Sequence, residues 1–255
     1  MKDVFEDLVT GEDFDPVRKA QEKSRRELPK RFYMDVTVAE LDGLFAIHLD
    51  GRPIRTPGRR IVGVPHRPAA DTMAAEWAAQ GTHINPATMP VTRLVHSAID
   101  GVANAVEAVA EDAAKYAGTD LLCYRAEGPD GLVARQSAHW DPVVKWAEGR
   151  FGLTFRLAGG VMPVAQDEKV VPAVLAAIPR DPFLLSATHQ FTTITGSVLL
   201  ALAIVEGRLG FEEAFAASNV DEDWNTEQWG TDAEAVSRRA WRSDEMKAAA
   251  ILTQR

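Results

Sequence analysis

The strongest structural signal in the chain is the stretch LFAIHLDGRPIRTP, residues 44–57. Phe45, Ile47 and Leu49 alternate with other residues, as in a strand that buries one face, and the Asp-Gly pair that follows is typical of a hairpin turn. The preceding run FYMDVTVAEL, residues 32–41, is rich in β-branched and aromatic residues. Together the two runs predict antiparallel strands.

An alanine-rich segment, residues 67–81, follows these strands and predicts a helix that covers the sheet. Met73 and Trp77 lie four residues apart and therefore share one helical face, and Gly81 is a typical helix end signal. We interpret Trp77 as a structural anchor between this helix and the sheet.

The chain beyond residue 90 has a mainly helical pattern. One long amphipathic helix is predicted over residues 91–118, and short strands are predicted at 119–125 and 154–160. Further helices are predicted at 132–150, 167–178, 182–206, 211–217, 221–229 and 232–252.

These elements predict an α+β fold with a boundary at the proline-containing connection near residues 85–90. A small α+β domain with an antiparallel sheet, residues 31–88, precedes a larger, mainly α-helical domain, residues 89–255. Residues 1–30 are acidic and then basic, which predicts a flexible arm with a short helix around residues 16–26.

Composition and charge exclude several classes of protein. The 255 residues are 46% hydrophobic and 25% charged, as in an ordinary globular protein. A formal net charge of -9 disfavours nucleic acid as a partner. The most apolar run, residues 194–207, is shorter than the ~20 residues that cross a bilayer, so we expect a buried helix and no membrane insertion.

The motifs of nucleotide and metal chemistry are missing from the sequence. The stretch GRPIRTPGRR, residues 51–60, has neither the spacing nor the free amides of a phosphate-binding loop, and the pair Gly159 and Gly160 stands alone, without the G-x-G-x-x-G pattern. The six histidines form no metal-binding spacing. We therefore expect no cofactor, no metal site and no catalytic residues.

Cys123 is the only cysteine, within TDLLCYRAEGPDG, residues 119–131. It is either a small buried side chain or, if a cation such as nearby Arg125 lowers its pKa, a reactive thiol; we favour the structural role. Asp120 is either an acceptor for backbone amides in a turn or a contact for a partner protein, and we carry it forward as a partner-binding candidate.

Two tryptophan-containing stretches complete the candidates. Trp140 has Val144 and Ala147 at helical spacing, which indicates core packing more than an interface. The stretch NVDEDWNTEQWG, residues 219–230, combines four carboxylates with two tryptophans. These acids could be a solvated helix cap, a protein-contact patch or, least readily, an acid/base pair.

Several of these stretches, in this order and spacing, resemble one family. They are LDGRPIRTP, AAEWAAQ, INPATMPVTRLVHSAID, TDLLCYRAEGPDGLVARQSAHWDPVVKWA, GSVLLALAIVEG and VDEDWNTEQWG, between residues 32 and 230. The sequence is similar to the chaperones that assemble the catalytic sector of F-type ATP synthase, specifically the assembly factor that binds the α subunit.

This resemblance implies a non-enzyme that binds unassembled α subunit, covers the surface that later meets the β subunit and prevents aggregation until β displaces it. Asp221, Glu222 and Trp229 match the family motif and become the partner-binding candidates, together with Asp120. The acidic N-terminal start shows no leader pattern, so we expect a bacterial, cytoplasmic protein, whereas organellar members of the family would act in the mitochondrial matrix. The alternative is a small-molecule enzyme with a site in the cleft between the two domains.

Overall fold

The computed structural model describes residues 28–160 and 164–254. The short helix predicted around residues 16–26 lies outside the described residues, as does the predicted arm except at its end.

The N-terminal sheet is antiparallel, as predicted, and β2 (Leu44–Leu49) is its central strand. One side of β2 pairs with β1 (Val36–Leu41), and the other side pairs with the short strands β3 (Arg52–Pro53) and β4 (Gly63–Val64). Both residues of the Asp-Gly pair between β2 and β3 have positive φ, 48° and 77°. This backbone is that of a type I′ hairpin turn, in which glycine avoids a steric cost.

Helix α1 (Arg67–Ala78) lies on the sheet and contacts β1, β2 and β4. A proline occupies its first turn, where no backbone N–H is needed, and Ala69, Ala70 and Met73 are buried toward the strands. The helix ends at Ala78, close to the predicted end.

The remaining helices form the larger, mainly helical part. They are α2 (Pro90–Asp100), α3 (Val106–Lys115), α4 (Asp130–Phe151), α5 (Val170–Ala177), α6 (Pro182–Thr195), α7 (Val198–Val205), α8 (Phe211–Ser218), α9 (Val220–Trp229) and α10 (Ala233–Thr253). The α+β fold class is thereby confirmed.

The long helix predicted over residues 91–118 is wrong, because the chain breaks between α2 and α3. Asn104 donates its side-chain amide to the carbonyl of Asp100 at 2.6 Å, and Arg60 donates to the carbonyl of Ile99. These side chains satisfy carbonyls at the end of α2, and Gly101, a poor helix former, follows them.

A second predicted helix, residues 182–206, is also divided in two. Gly196 has φ 69° and ends α6 in the left-handed conformation, which glycine adopts without strain. Ser197 then caps α7 by accepting a hydrogen bond from the amide of Leu200 at 3.1 Å. The adjacent Gly196 and Ser197 are typical residues for the end of one helix and the start of the next, so the sequence contained a signal for this division.

The predicted strand at residues 119–125 is mostly a 3-10 turn. Leu121–Cys123 form this turn, and only β5 (Tyr124–Arg125) is extended, paired in parallel with β6 (Ala158–Gly159). The predicted strand at residues 154–160 is correspondingly reduced to β6. Cys123 and Arg125 therefore do not share the face of a continuous strand.

The hydrophobic core is continuous through the described residues, and α6 and α7 lie at its centre. Side chains from both parts are fully buried in it: Ile47, Met73, Leu122, Trp140, Leu185, Phe191, Leu199, Leu200, Leu202 and Met246. None of the helices in residues 28–160 and 164–254 is long and apolar enough to span a bilayer.

Polar contacts connect the two parts across the predicted boundary. The Glu76 carboxylate on α1 accepts hydrogen bonds from the amides of Val91 and Thr92 in the first turn of α2, both at 2.8 Å. Burial nevertheless raises the pKa of Glu76. The Asp100 carboxylate accepts from the Thr56 hydroxyl, 2.7 Å, and from the amide of Gly58, 2.8 Å. The division into separate domains at residues 85–90 stays a prediction.

Candidate protein-binding surface

Helix α9 carries the acidic motif and contributes little to the core. Val220 is its only buried residue, and Asp221, Glu222 and Asp223 occupy its first turn. Carboxylates in this position interact favourably with the positive end of the helix dipole. The helix needs further contacts to stay on the protein, and these come from α4 and α10.

Polar side chains of α4 hold one side of α9. Arg135 donates two hydrogen bonds to the Glu227 carboxylate, at 2.7 and 2.9 Å, and its guanidinium lies 5.3 Å from the centre of the Trp224 ring. Gln136 donates to Asp221 at 2.7 Å and accepts from the amide of Ala126 at 2.8 Å. The hydrogen bond from Arg135 lowers the pKa of Glu227.

Arginines of α10 hold the other side of α9. Arg242 donates to Glu222 at 3.2 Å, and Arg239 donates to Asp223. That hydrogen bond raises the pKa of Arg239. Each of the four carboxylates of the motif therefore has an intramolecular partner, so the motif is neither a freely solvated cap nor an isolated pair of acids.

Trp224 packs against the start of α4 at Gly131. A Cβ atom at Gly131 would lie 2.7 Å from Cη2 of the indole, closer than real Cβ contacts. The absence of a side chain at this position lets the ring approach the α4 backbone. Trp224 is thus half-buried and fixes the position of α9.

The exposed apolar side chains near this helix are large. Trp229, at the last position of α9, is 79% exposed, and on α10 Val236 and Trp241 are 53% and 54% exposed. Single exposed apolar residues are common, but Trp229 on α9 and Trp241 on the neighbouring α10 are of the residue type most enriched at protein interfaces. We call Trp229, Val236, Trp241 and the carboxylates of α9 the α9–α10 surface.

The α10 members of this surface were missed in the sequence. Trp241 lies four residues before the buried Glu245 and seven before the buried Ala248, so helical periodicity predicts burial of its ring. The buried residues of α10 begin only at Glu245, and the first half of the helix lies beyond the core. The signal that could have found these exposed members is composition, because residues 234–244 are mostly charged or polar and the apolar residues cluster from Met246 onward.

Asp120 is corrected as a partner contact, because it is 0% exposed. Its carboxylate accepts hydrogen bonds from the amides of Leu122 and Leu199, both at 3.1 Å. It therefore joins the 3-10 turn to the first turn of α7, which is the alternative role of an acceptor for backbone amides. Burial raises the pKa of Asp120 to about 6, despite these hydrogen bonds.

Cys123 lies beside Asp120 and is 2% exposed. Burial raises the pKa of its thiol to about 12, and the negative charge of Asp120 acts in the same direction. At neutral pH the side chain is the thiol and not the nucleophilic thiolate. These properties support a structural role for Cys123.

The other two structural candidates, Trp140 and Trp77, differ in how deeply they are buried. Trp140 is 1% exposed, and its indole N–H donates to the carbonyl of Ala217 at 2.7 Å, which joins α4 to α8. Trp77 is half-buried and packs edge-to-face on Tyr33, with ring centres 5.7 Å apart. The Tyr33 hydroxyl also donates to the Trp77 carbonyl at 2.7 Å. Both positions suit the predicted roles as packing residues.

A cleft of about 270 Å³ lies between the α+β part and the helical part, lined by residues of β4, α1, α6 and α10. Its lining is mainly apolar, and His66 and Asp181 are the titratable residues in it. The Asp181 carboxylate already accepts hydrogen bonds from the amides of Phe183 and Leu184, both at 3.0 Å. Within the described part of the chain, no group of three or more His, Cys, Asp or Glu side chains is arranged to hold a metal ion.

Comparison with known proteins relates this architecture to a family. The protein-family model described as ATP12 chaperone protein matches residues 30–148. The crystal structure of Atp12 from Paracoccus denitrificans superimposes with a TM-score of 0.80 and 39% identity, over 88% of this chain and 97% of that chain. The chain belongs to the ATP12 chaperone family.

Two further relatives of this ATP12 family member extend the comparison. The crystal structure of Atu1473 from Agrobacterium tumefaciens has a TM-score of 0.83 and 46% identity, over 94% of this chain and 91% of that chain. Protein atp12, mitochondrial, of Schizosaccharomyces pombe is 24% identical over 215 residues, which are 79% of this chain and 74% of the relative. The ATP12 fold therefore extends over the sheet and the helical part alike.

Proposed function

We propose that this ATP12 family chaperone binds the unassembled α subunit of F-type ATP synthase and covers the surface that later meets the β subunit. The observation that carries the proposal is the α9–α10 surface, where Trp229 is 79% exposed on a helix held by side-chain contacts to its neighbours. Family membership makes chaperone activity the expected use of such a surface. Because two solved relatives are bacterial, we place this role in the bacterial cytoplasm.

Glu222 and Asp221 have a dual role in this proposal. Their intramolecular hydrogen bonds to Arg242 and Gln136 orient α9, and the side chains stay partly accessible, since Asp221 is exposed and Glu222 half-buried. A carboxylate accepts several hydrogen bonds at once. The same acids can therefore position the helix and meet donors on the client, while Trp229 supplies apolar area.

Release of the client requires no nucleotide in this mechanism. An unassembled subunit exposes apolar surface that promotes aggregation, and a chaperone of moderate affinity covers it reversibly. The β subunit buries more of the same surface, so it displaces the chaperone by mass action. The chain accordingly acts as a binding protein and not as an enzyme.

The alternative, a small-molecule enzyme in the cleft, has no supporting observation. The Asp181 carboxylate caps α6, and the walls are mainly apolar. A catalytic site needs polar groups that converge on a reacting atom, and His66 is the remaining titratable group of this lining.

The test is the aggregation of purified α subunit in the presence of Trp229→Ala. We expect this variant to lose most of its protection of the client and to keep its own melting temperature, because an exposed indole adds little to folding but large aromatics dominate interface energetics. Met34→Ala is the matched control, since Met34 is 86% exposed on the sheet side of the molecule. Full protection by Trp229→Ala would refute the proposed surface.

A further inference from the structure

Strand β3 and the turn that follows it concentrate positive charge in an otherwise acidic protein. Arg52, Arg55 and Arg59 are all exposed, although the chain has a net charge of -9. We call residues 52–60 the arginine hairpin. Three exposed guanidinium groups so close in sequence repel one another, so they favour a negatively charged ligand.

The contacts of the arginine hairpin leave this charge available. The Arg60 guanidinium already has hydrogen-bond partners, because it donates to the Ile99 carbonyl and to the Asn104 side chain. Within the described residues, the hydrogen bond that Arg55 donates goes to the backbone carbonyl of Arg59, at 2.8 Å. Among residues 28–160 and 164–254, no ion pair involves Arg52, Arg55 or Arg59.

The nearby carboxylates of Asp100 and Asp50 already accept hydrogen bonds from backbone amides and from the Thr56 hydroxyl. Asp100 accepts from Thr56 and from the amide of Gly58, and Asp50 accepts from the amides of Met34 and Asp35 at 3.0 and 2.9 Å. These hydrogen bonds lower the pKa of both carboxyl groups. The same contacts hold the backbone that carries the three arginines.

The chain itself contains a segment of complementary charge. Residues 3–15, which lie outside the described residues, include six carboxylates: Asp3, Glu6, Asp7, Glu12, Asp13 and Asp15. They include no lysine or arginine. The described chain then passes close to the hairpin, because the amides of Met34 and Asp35 bond to Asp50, two residues before Arg52.

The connecting length permits contact between the two. Between Asp15 and Leu28 the chain can span up to about 45 Å. A folded chain of 255 residues has an expected radius of gyration of about 18 Å. Reach therefore does not limit the site, and the opposite charges of the segment and the hairpin favour their contact.

We propose that the acidic segment, residues 3–15, docks on the arginine hairpin of the same chain. Its carboxylates pair with Arg52, Arg55 and Arg59, for which guanidinium geometry is well suited. The pairs are exposed and numerous, so the contact is reversible and weakens with ionic strength.

The experiment uses the full chain with the substitution Gly11→Cys and attaches a nitroxide spin label to the new cysteine. The broadening of backbone amide NMR signals is then measured. Cys123 is 2% exposed and should stay unlabelled; wild-type chain treated with the same reagent checks this. At ionic strength of about 0.01 M, where the Debye length is about 30 Å, we expect loss of most signal intensity over residues 52–60. At about 1 M, where it is about 3 Å, the intensity should return.

Charge reversal provides the second measurement. The triple variant Arg52→Glu, Arg55→Glu and Arg59→Glu should remove the broadening. The control is the triple variant Lys145→Glu, Lys169→Glu and Arg208→Glu, which changes the net charge by the same amount at exposed positions elsewhere. This control should keep the broadening. Three results would overturn the proposal: no broadening at low salt, broadening confined to the basic residues 18–26, or broadening that the hairpin variant leaves unchanged. If the hairpin variant does not fold, the salt response of the labelled chain decides.

Discussion

Asp120 holds a carboxylate in the interior, where it accepts from the amides of Leu122 and Leu199. Desolvation raises its pKa to about 6, above the ordinary value of 3.8. The folded state therefore keeps the proton to higher pH than the unfolded state does. The stabilising effect of this proton is complete below about pH 4 and is lost as pH rises through 6.

The variant Asp120→Asn tests this linkage. A shift of about 2 units corresponds to ~3 kcal/mol, so the stability of wild type relative to the variant should fall by about 2–3 kcal/mol between about pH 4 and about pH 7. Chemical denaturation at several pH values measures the difference, in which the titration of all other groups largely cancels. If the stability difference between wild type and variant is constant across this pH range, the amide hydrogen bonds offset the effect of burial on the pKa of Asp120.

Cys123 gives the second prediction at the residue scale. Since its thiol is buried with a pKa of about 12, thiol reagents should modify the chain only after unfolding. Cys123→Ser should lower the free energy of unfolding by ~1 kcal/mol through lost apolar burial and leave client protection intact. Cys123→Ala is the control for the added hydroxyl. Lost protection at an unchanged melting temperature would instead indicate a reactive thiol.

At the scale of elements, α9 depends on the charges of its neighbours. Glu222 faces Arg242 at 3.2 Å, and both side chains are partly accessible. Glu222→Lys should lower stability modestly, within the ~1 kcal/mol typical of exposed ion pairs, because it places two cations together. The paired change Glu222→Lys with Arg242→Glu should restore the melting temperature, since the ion pair is rebuilt in the reverse sense.

Client protection then distinguishes the two roles of Glu222. If the carboxylate also meets donors on the α subunit, the paired variant should melt like wild type and still protect poorly against aggregation. If the acid only holds α9, protection should return with stability. The second result would remove Glu222 from the proposed contact surface and leave Trp229 as its main member.

The sequence predicted most elements where a local signal exists. The β2–β3 turn, the sheet face of α1 and the extent of α4 follow from alternation, helical period and turn residues. The break after Asp100 depends on Asn104 and on Arg60, which is distant in sequence, so periodicity alone predicted one helix. Likewise, the burial of Asp120 depends on the amide of Leu199 in another element.

At the scale of the whole molecule, a buried polar cluster connects three helices. Glu245 on α10 is 7% exposed and pairs with Arg93 of α2, and Gln190 of α6 donates to it at 3.0 Å. Breaking a buried ion pair leaves a charge without compensation. The cluster therefore opposes separation of α10 from the rest of the core.

Glu245→Gln should lower the free energy of unfolding by ~2 kcal/mol, less than for a fully buried pair because Arg93 partly reaches solvent. Since the core is continuous, we expect the denaturant transition to shift as a whole, with an unchanged slope. Glu234→Gln, which breaks an exposed pair with Arg238 on the same helix, should change stability little. A transition that splits into two steps would support separate domains divided near residues 85–90.

Helix α9 buries only Val220 and is otherwise held by side-chain contacts at its two flanks. Apart from Trp224, which packs on α4 at Gly131, its detachment would expose little apolar area, so it can open while the core stays intact. Its backbone amides should then exchange with deuterium far faster than those of α7, whose residues from Val198 to Ala203 are fully buried. If α9 contacts the client as proposed, the client would meet a helix that opens more readily than α7 and can adjust its orientation to the surface it covers.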